Sequence, residues 1–532
     1  MNKIRLHAYT ILGLSLVISL AVAAMISCGG SSMSSNSPTT GTVQTFLSDP
    51  PTCSAEFDHV YVTITKVEAN ISATSNSGWQ TLVDLTSTPQ QVDLLSLNPT
   101  ATAGFCGTLF MLGKKALPPG KYQQIRLILM DNTGTVSGDK CSTGVNCVVP
   151  HNNTTTYELQ LSSQAQTGIK IPSSQIANGG LTVSAGQSVD FNIDFDTCAS
   201  IVQEGNGQYR FKPVLHAGEI SMNGANTISG KVVEGAGSPN PGMGVGDAIV
   251  LLEQPDSTTP TPVDRVIWSG TTNPDGTFAF CPVAPTSSSN FDVVVAGSTT
   301  QTIATVTTTT TYNPTVVFNV PIGGSAGNIP VFAETTTGSG TGLVSTSPAT
   351  ISGQITTADN SSPSKPISGE VQLSALQSAT NPQPPAGSPS TVLLTIPVLD
   401  AGSTPGGHAT DSQPPVYTTV TNTSSSSPAG CATTSFDCVG YSVMVPASAV
   451  AIGTYDSTNG NSMTAPSSTS QAMYTIEGLA NGTNGLLNCT SPTNGDAMSH
   501  SVTVTSGSAI SSSGTTPSES TLDLTFSGCT AP

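Results

Sequence analysis

Apolar and polar residues alternate with a period of two along short stretches of this chain. The alternation is clear over His59–Val67 and Val189–Phe195, and another strand-like run, Tyr122–Leu129, follows a turn at Pro118-Pro119-Gly120. Such alternation places apolar side chains on one face of an extended strand, whereas a helix repeats them every three or four residues. Short strands separated by Gly and Pro turns are typical of sandwiches. The pattern therefore predicts an all-β protein made of tandem β-sandwich domains.

The N-terminus departs from this pattern and predicts a secretory signal. Lys3 and Arg5 precede a long run of almost wholly apolar or small residues, and no acidic residue comes before Cys28. The sequence before Cys28 resembles a lipobox, in which a small residue precedes the Cys that becomes lipidated, although Met25 stands where Leu is usual. A transmembrane anchor is the alternative, because the apolar run approaches a membrane-spanning length. We predict a signal peptide over residues 1–27 and lipidation, including palmitate, at Cys28.

Residues 28–40 are expected to form a flexible tether. After Cys28 they are Gly, Ser, Asn, Pro and Thr with one Met, which offers too little apolar surface to offset the entropy of ordering. In the lipoproteins that the lipobox resembles, an Asp directly after the lipidated Cys is associated with retention at the inner membrane. This chain has Gly29 at that position. The expected location is the cell envelope, with the protein anchored through its lipid in the outer membrane.

The charge of the chain narrows its possible partners. Without Lys3 and Arg5 it has 12 basic and 32 acidic residues, a net charge of −20. Proteins that bind nucleic acid carry a basic patch or stripe for the phosphates. No nucleic-acid partner is therefore expected.

The cysteines fit an oxidising compartment, because ten remain after Cys28 and ten is an even number. Two short spacings and the two remaining C-terminal cysteines predict three disulfides: Cys141–Cys147, Cys431–Cys438 and Cys489–Cys529. The sequence does not assign partners to Cys53, Cys106, Cys198 and Cys281. A zinc site is not favoured, since no CxxC or Cys/His cluster is present.

Residues 41–221 resemble the DUF4382 family, a domain of unknown function found in exported bacterial lipoproteins. The resemblance rests on pieces in matching order and spacing: Val43–Pro50, Asp58–Val67, Trp79–Leu85, Val92–Leu97, Leu117–Arg126 and Asp190–Asp196. It implies a β-rich fold and a location in the envelope, and it implies no known activity.

Residues 226–334 predict a second β domain. They open with Thr227–Val233, continue with a strand at Ala248–Leu252, and contain an Asp275-Gly276 turn between extended runs, which predicts a hairpin. This region resembles the carboxypeptidase regulatory-like, or transthyretin-like, sandwich of the carbohydrate-binding-like fold group. The resemblance implies a seven-strand sandwich, and a fold alone does not assign an activity.

Residues 347–532 predict a C-terminal β-rich region with low-complexity loops. Thr350–Ile355 repeats the opening of the second domain almost residue for residue, which suggests another sandwich of similar ancestry. A Pro-rich stretch at Asn381–Ser390 is expected to be a loop. The alternative is that the whole region is a disordered Ser/Thr-rich spacer.

The sequence contains no recognisable catalytic motif. No His lies in a zinc-protease or nucleophile-elbow motif, and no Gly-rich phosphate loop is present. Serines without a placed base are ordinary polar residues. We therefore expect a protein that is not an enzyme and needs no cofactor.

Calcium is the one metal that the sequence suggests. Asp190, Asp194 and Asp196 lie on the same face of a predicted strand, and Ca²⁺ prefers carboxylate and carbonyl oxygens. Same-face neighbours are roughly 7 Å apart on a strand, so a loop such as that of Asp49 or Asp58 would have to contribute. The alternatives are a strand face exposed to solvent and a carboxylate that caps a turn.

Aromatic residues suggest a ligand class. Trp79 and Trp268 are the only tryptophans, and each is either a platform for a sugar ring or a core residue. The function expected from the sequence is that of an envelope or surface lipoprotein acting as a non-catalytic binding module. Carbohydrate is the favoured ligand class, and an envelope protein is the other partner considered. The alternatives are a structural or adhesion stalk without a small ligand, and an accessory subunit of an envelope enzyme.

Overall fold

The structure is a computed structural model that describes most of the chain from residue 39 onward. The predicted signal peptide, Cys28 and nearly all of the tether lie outside the described residues. So do these positions and loops: 50–56, 73–76, 98–108, 162–167, 204–206, 212–213, 221–226, 237, 239, 247, 257–261, 282, 284–289, 304–305, 333–334, 338–342, 346–347, 366–368, 388–389, 399–415, 421–436, 459–460, 468–470, 482–497, 512–521 and 530–532.

The first domain is built from short strands, as the alternation predicts. Its strands are β1 Gly41–Ser48, β2 Phe57–Asn70, β3 Gln80–Asp84, β4 Gln90–Asp93, β5 Phe110–Leu117, β6 Gly120–Tyr122, β7 Gln124–Leu129, β8 Cys147–Pro150, β9 Tyr157–Gln160, β10 Ile169–Pro172, β11 Leu181–Val183, β12 Ser188–Asp196, β13 Ile201–Gln203, β14 Tyr209–Phe211 and β15 Val214–Ile220. The helical segments described in this domain are 3-10 turns at Leu94–Leu97, Ser173–Gln175 and Ala177–Gly179 and the α-helix α1 at Thr197–Ser200.

Two sheets of this domain enclose its core. One has the strand order β15-β12-β1-β5, and the larger follows β10-β7-β2-β8-β9-β14-β13, with β3 and β4 also paired to β2. Leu47 and Phe191 from the first sheet and Val62 and Leu127 from the second belong to one buried cluster. The first domain is therefore a β-sandwich.

The rest of the chain is also made of strands. The second region contains β16 Ile228–Glu234, β17 Ile249–Asp256, β18 Val263–Thr271, β19 Thr277–Phe280, β20 Asn290–Ile303, β21 Val306–Pro321, β22 Ser325–Val331, β23 Thr335–Thr337 and β24 Leu343–Ser345. The third contains β25 Ala349–Asp359, β26 Gly369–Thr380, β27 Thr391–Thr395, β28 Val416–Val420, β29 Asp437–Val445, β30 Ala451–Thr454, β31 Ser462–Thr464, β32 Gln471–Asn481, β33 Met498–Thr505, β34 Ala509–Ser511 and β35 Leu524–Cys529. The all-β prediction is confirmed.

One long sheet crosses the boundary predicted between residues 334 and 347. Its strand order is β31-β30-β21-β20-β17-β18-β27-β26-β32-β33, with β28 also paired to β26. The second region joins the third at two places in this sheet. β18 runs parallel to β27, with Val263 opposite Leu393 and Asp264 opposite Leu394, and β21 runs parallel to β30, with Thr315 opposite Ala451. The largest buried cluster contains Leu251 from one region and many residues of the other. Residues 40–532 accordingly form one compact unit.

The sequence repeat at the start of the two later regions corresponds to the same local structure. β16 lies between antiparallel β19 and parallel β22, and β25 lies between antiparallel β29 and the parallel strands β34 and β35. Gly230 of the first copy is opposite Phe278, and Gly353 of the second is opposite Tyr441. A Cβ at either glycine would lie 2.6 Å from an atom of that ring. The glycine of the motif is therefore needed because an aromatic ring covers it.

The hairpin predicted at Asp275-Gly276 is wrong, although the turn itself is present. Gly276 has φ +84°, and the Asp275 carboxylate accepts hydrogen bonds from the Thr277 N–H and hydroxyl at 3.0 and 2.6 Å. The strands on the two sides of this turn belong to different sheets, because β18 pairs with β17 and β27 whereas β19 pairs with β16. The turn therefore carries the chain from one sheet to another.

A buried ion pair links the second and third regions. Two guanidinium nitrogens of Arg265 on β18 donate to the two carboxylate oxygens of Glu477 on β32. The side chains are 10% and 6% exposed. Removal of one partner of such a pair strongly destabilises the folded protein, because a buried charge then remains without its counterion.

We expect Glu477→Gln to lower the free energy of unfolding by about 3 kcal/mol, since Arg265 would keep its charge and lose this carboxylate. Urea denaturation measures the loss. Lys66→Met is the control, because the Lys66 ammonium lies 3.6 Å from Glu68 at a more exposed position and should contribute less than about 1 kcal/mol. Equal losses in the two variants would contradict the role of the buried pair.

Candidate functional site

A polar groove of about 720 Å³ opens on the first domain. Its volume lies in the range of sites that bind small molecules. Strand β2, the turn before β4, the first 3-10 turn and the loop before β8 supply its walls. The side chains that matter for its chemistry are Tyr61, Gln90, Gln91, Asp93, Ser96 and Lys140.

Tyr61 is the aromatic residue of the groove, and its neighbours hold it in place. The ring of His59 stacks on it with centroids 5.5 Å apart and 22° between the planes. Asp93 Oδ2 lies 2.7 Å from His59 Nδ1, and Asp93 Oδ1 accepts a hydrogen bond from the Val60 N–H at 3.1 Å. Burial, with the charge of Asp93, raises the pKa of Tyr61. Tyr61 therefore presents a neutral phenol at physiological pH.

The opposite wall is formed by residues 135–138 and Lys140, and the disulfide loop Cys141–Cys147 follows it directly. The spacing of the two cysteines predicts this bond. Gln91 on β4 holds the end of the wall, because its Nε2 donates to Asp139 Oδ1 at 2.7 Å and its Oε1 accepts from the Lys140 N–H at 2.8 Å. The same Nε2 donates to the Val145 carbonyl inside the disulfide loop at 3.1 Å. The wall is thus tied to the sheet at its C-terminal end.

The lining of the groove is suited to a ligand with many hydroxyl groups. It combines amide donors and acceptors, hydroxyl groups that both donate and accept, one carboxylate and one ammonium group. The Tyr61 ring adds an apolar face beside a polar edge. Such a surface matches a sugar, whose ring has polar edges and apolar faces.

The calcium residues predicted from the sequence lie elsewhere, on β12. Asp190 Oδ1 accepts a hydrogen bond from Gln44 Nε2 at 2.7 Å, and Asp194 Oδ1 accepts one from Ser48 Oγ at 2.6 Å. The side chain of Asp196 lies outside the described residues. In the part of the chain that the structure describes, no three His, Cys, Asp or Glu side chains are arranged to hold a metal ion. The structure therefore gives the calcium hypothesis no support among those residues.

The alternative of a solvated strand face is wrong for Asp194. Asp194 and Asn192 are almost completely buried, because β12 lies inside its sheet between β1 and β15. Phe46 and Ile220, which share this sheet face by register, pack in a cluster with residues of the second region. A second layer of structure therefore covers the acidic face.

Neither tryptophan lies in the groove. The Arg126 guanidinium lies 4.3 Å from the centroid of the Trp79 ring, so a cation covers that ring. Trp268 is buried and packs edge-on against Phe280 with centroids 6.5 Å apart. Trp268 is therefore a core residue. The aromatic residue that lines the groove is Tyr61, and the sequence pattern alone does not single it out.

The other cysteine predictions are only partly accessible to the structure. Cys281 and Cys529 are each disulfide-bonded. Cys489, the predicted partner of Cys529, and Cys431 lie outside the described residues, and the side chain of Cys438 on β29 is not described. The pairings Cys431–Cys438 and Cys489–Cys529 remain predictions.

We expect the double variant Cys141→Ser/Cys147→Ser to fold with a loosened groove wall. A disulfide that closes so short a loop stabilises the fold by about 2 kcal/mol, and its loss should speed amide hydrogen exchange over residues 131–146. Exchange in β7 is the internal control, because its amides belong to the core of the sheet. Unchanged exchange over 131–146 would show that the Gln91 contacts alone hold the loop.

Comparison with known proteins adds one family and distant structural likenesses. Among curated proteins, none matches the chain. A leucine-rich repeat protein from Bacteroides thetaiotaomicron has 12% identity over 55% of this chain and 26% of its own, with a TM-score of 0.12. The minor pilin GBS52 of Streptococcus agalactiae has 10% identity over 58% of this chain and 98% of its own, with a TM-score of 0.17. The chain thus spans about a quarter of the first of these proteins.

Residues 40–213 match the family model described as a domain of unknown function (DUF4382), which confirms the resemblance seen in the sequence of the first domain.

Proposed function

We propose that this protein is a non-catalytic binding module of the cell envelope and that its first domain binds carbohydrate in the groove beside Tyr61. The observation that carries this proposal is the groove itself, with one aromatic ring, amides, hydroxyls and the Asp93 carboxylate around about 720 Å³. These groups offer hydrogen bonds of both kinds to a polyhydroxylated ligand. The strongly acidic charge of the chain disfavours nucleic acid as the ligand.

The second region adds support of a different kind. Its sequence resembles the carboxypeptidase regulatory-like sandwich of the carbohydrate-binding-like fold group, and its described residues are all strands and connections. We propose that it belongs to that group. Its role here would be to hold the groove-bearing domain, because a buried cluster contains residues of both.

We further propose that the chain is anchored in the outer membrane through lipid on Cys28. The sequence before Cys28 supports this, and so does the tether after it. In the described part of the chain, no helix is long and apolar enough to cross a membrane. In this proposal the lipid supplies the membrane contact.

We expect the whole protein to retain specific glycans on a glycan array, and Tyr61→Ala to weaken that binding at least tenfold because the ring that stacks on the sugar is lost. Tyr157→Ala is the matched control, since Tyr157 is an exposed tyrosine outside the groove. Equal binding by the two variants would place the ligand elsewhere. If no glycan is retained at all, the stalk and accessory-subunit alternatives become the better explanations.

We expect Cys28→Ala to remove the protein from the membrane fraction or to leave it as an uncleaved precursor, because the thiol that carries the lipid is gone. Metabolic labelling with palmitate measures this directly. Cys28→Ser also removes the sulfur atom, with a smaller change of side chain, and should have the same effect. Labelling that persists in both variants would rule out lipidation at this residue.

A further inference from the structure

Three carboxyl groups lie together on one face of the long sheet. Glu253 on β17 is directly opposite Asp292 on β20 and opposite Val266 on β18. Asp264 precedes Val266 by two positions on β18, so its side chain points to the same side. Val266 belongs to the large cluster shared by the second and third regions. The carboxyl cluster, defined as Glu253, Asp264 and Asp292, therefore faces the shared core.

The carboxyl cluster is buried and has few donors. Glu253 and Asp264 are completely buried and Asp292 is 6% exposed. The Thr395 N–H donates to Glu253 Oε2 at 3.2 Å, and the Asn319 N–H donates to Asp292 Oδ1 at 2.9 Å. Among the described residues, no donor reaches Glu253 Oε1 or either oxygen of Asp264. Ionised carboxylates in such a place would have lost their water without replacement.

Full ionisation of the carboxyl cluster would bring like charges together. Glu253 and Asp292 are directly opposite on paired strands. Burial is the main cause of the raised pKa of Asp264, and the charges of Asp292 and Glu253 raise it further. Buried carboxyl groups that face like charges are favoured in the protonated form.

Few charged groups face the carboxyl cluster from the surrounding strands. Arg265, the neighbour of Asp264 on β18, favours the ionised form of Glu253, but this influence is weaker than the effect of burial. Its guanidinium is bonded to Glu477 on β32. Among the residues that the structure describes on β27 and β21, the groups that bond to the cluster are the backbone N–H groups of Thr395 and Asn319. The negative charges of the cluster thus act mainly on one another.

The position of the carboxyl cluster connects it with the junction of the two regions. Asp264 is one of the two residues of β18 that pair with β27. The hydroxyl of Thr395 donates to the Asp264 carbonyl at 2.8 Å, while the Thr395 N–H binds Glu253. Repulsion within the cluster therefore acts directly on β18 and β27, one of the two strand pairs that join the second region to the third.

We propose that Glu253, Asp264 and Asp292 form a proton-loaded carboxyl cluster that holds the β18–β27 junction closed in mildly acidic surroundings and loosens it as the pH rises. This device is independent of the groove in the first domain. It makes the β18–β27 junction the part of the protein whose stability responds to alkaline conditions.

The direction of the pKa shifts agrees with the geometry. Burial raises the pKa of Asp292 to about 6, and it holds the pKa values of Glu253 and Asp264 well above the usual range. Unfolded carboxyl groups lose their protons near pH 4. Between about pH 4 and the raised values the folded state keeps more protons, so stability falls as the pH rises. Asp292 covers the window from about 4 to 6, and the other two extend it upward.

The first test is the melting temperature between pH 5 and pH 9 for the whole protein and for Asp264→Asn. An amide at this position carries no charge at any pH, so the variant removes one negative charge from the cluster. We expect the melting temperature of the unmodified protein to fall as the pH rises, and that of the variant to be flatter and higher at pH 8 by about 2 °C or more. His216 acts in the opposite direction, because burial lowers its pKa to about 4, but it is the same in both proteins.

Asp275→Asn is the matched control for this test. Asp275 is an exposed turn residue whose pKa is lowered by hydrogen bonds from Thr277, so it titrates below the tested range. The control should keep the slope of the unmodified protein. The proposal is overturned if Asp264→Asn also keeps that slope, or if it melts lower by the same amount at every pH. If Asp264→Asn does not fold, Glu253→Gln takes its place. Failure of both to fold would show that an amide cannot replace a protonated carboxyl here, and the proposal would be wrong.

The second test places the effect within the molecule. Amide hydrogen exchange is measured at several pH values and corrected for its intrinsic pH dependence. The equilibrium constant for opening of the β18 and β27 amides should rise with pH, by up to tenfold per pH unit for each proton released. The same amides in Asp264→Asn should show little change. Amides of β2 in the first domain should be insensitive to pH in both proteins. An equal response in β2 would show that the pH effect is not located at the junction.

Discussion

The pairing of β18 with β27 is a central contact of the C-terminal half of this protein, because the long sheet passes there from the second region to the third. Without it, β18 would present an unpaired edge. Together with the pairing of β21 and β30, it makes one sheet and one hydrophobic cluster continue across both regions. The backbone bond from the Leu393 N–H to the Pro262 carbonyl, 2.9 Å long, marks where the β18–β27 contact begins.

Buried charge is concentrated at the same contact. The Arg265–Glu477 pair and the carboxyl cluster both include residues of β18, and neighbouring residues of a strand point to opposite faces. The ion pair is therefore on one side of the sheet and the cluster on the other. Side chains of this kind are costly to bury unless they are paired or protonated. Arg265 and Glu477 are paired with each other, and burial favours the protonated form of the carboxyl cluster. The charged groups of the groove in the first domain, Asp93 and Lys140, lie closer to solvent.

Local features of this protein were predictable from its sequence because they depend on neighbours along the chain. The two-residue alternation identified strands such as β2 and β12, and the spacing of Cys141 and Cys147 identified a disulfide that closes a short loop. The repeat around Gly230 and Gly353 identified two strands with the same surroundings. Each of these needs only the geometry of an extended chain, a short loop or a motif found twice. The groove was not predictable in this way, because Tyr61, Gln91 and Lys140 come from separate segments.

The sequence by itself determined that the chain is all-β and where many of its strands lie. The tertiary structure decided what covers each strand and which strands meet. In the tertiary structure Asp194 is buried under a second layer, and Arg126 covers the ring of Trp79. The Asp275-Gly276 turn leads into a different sheet. The physical reason is that alternation defines the two faces of a strand but not their surroundings. Those surroundings come from residues far away in the chain, and they decide whether a carboxyl group meets water, a hydrogen-bond donor or another carboxyl group.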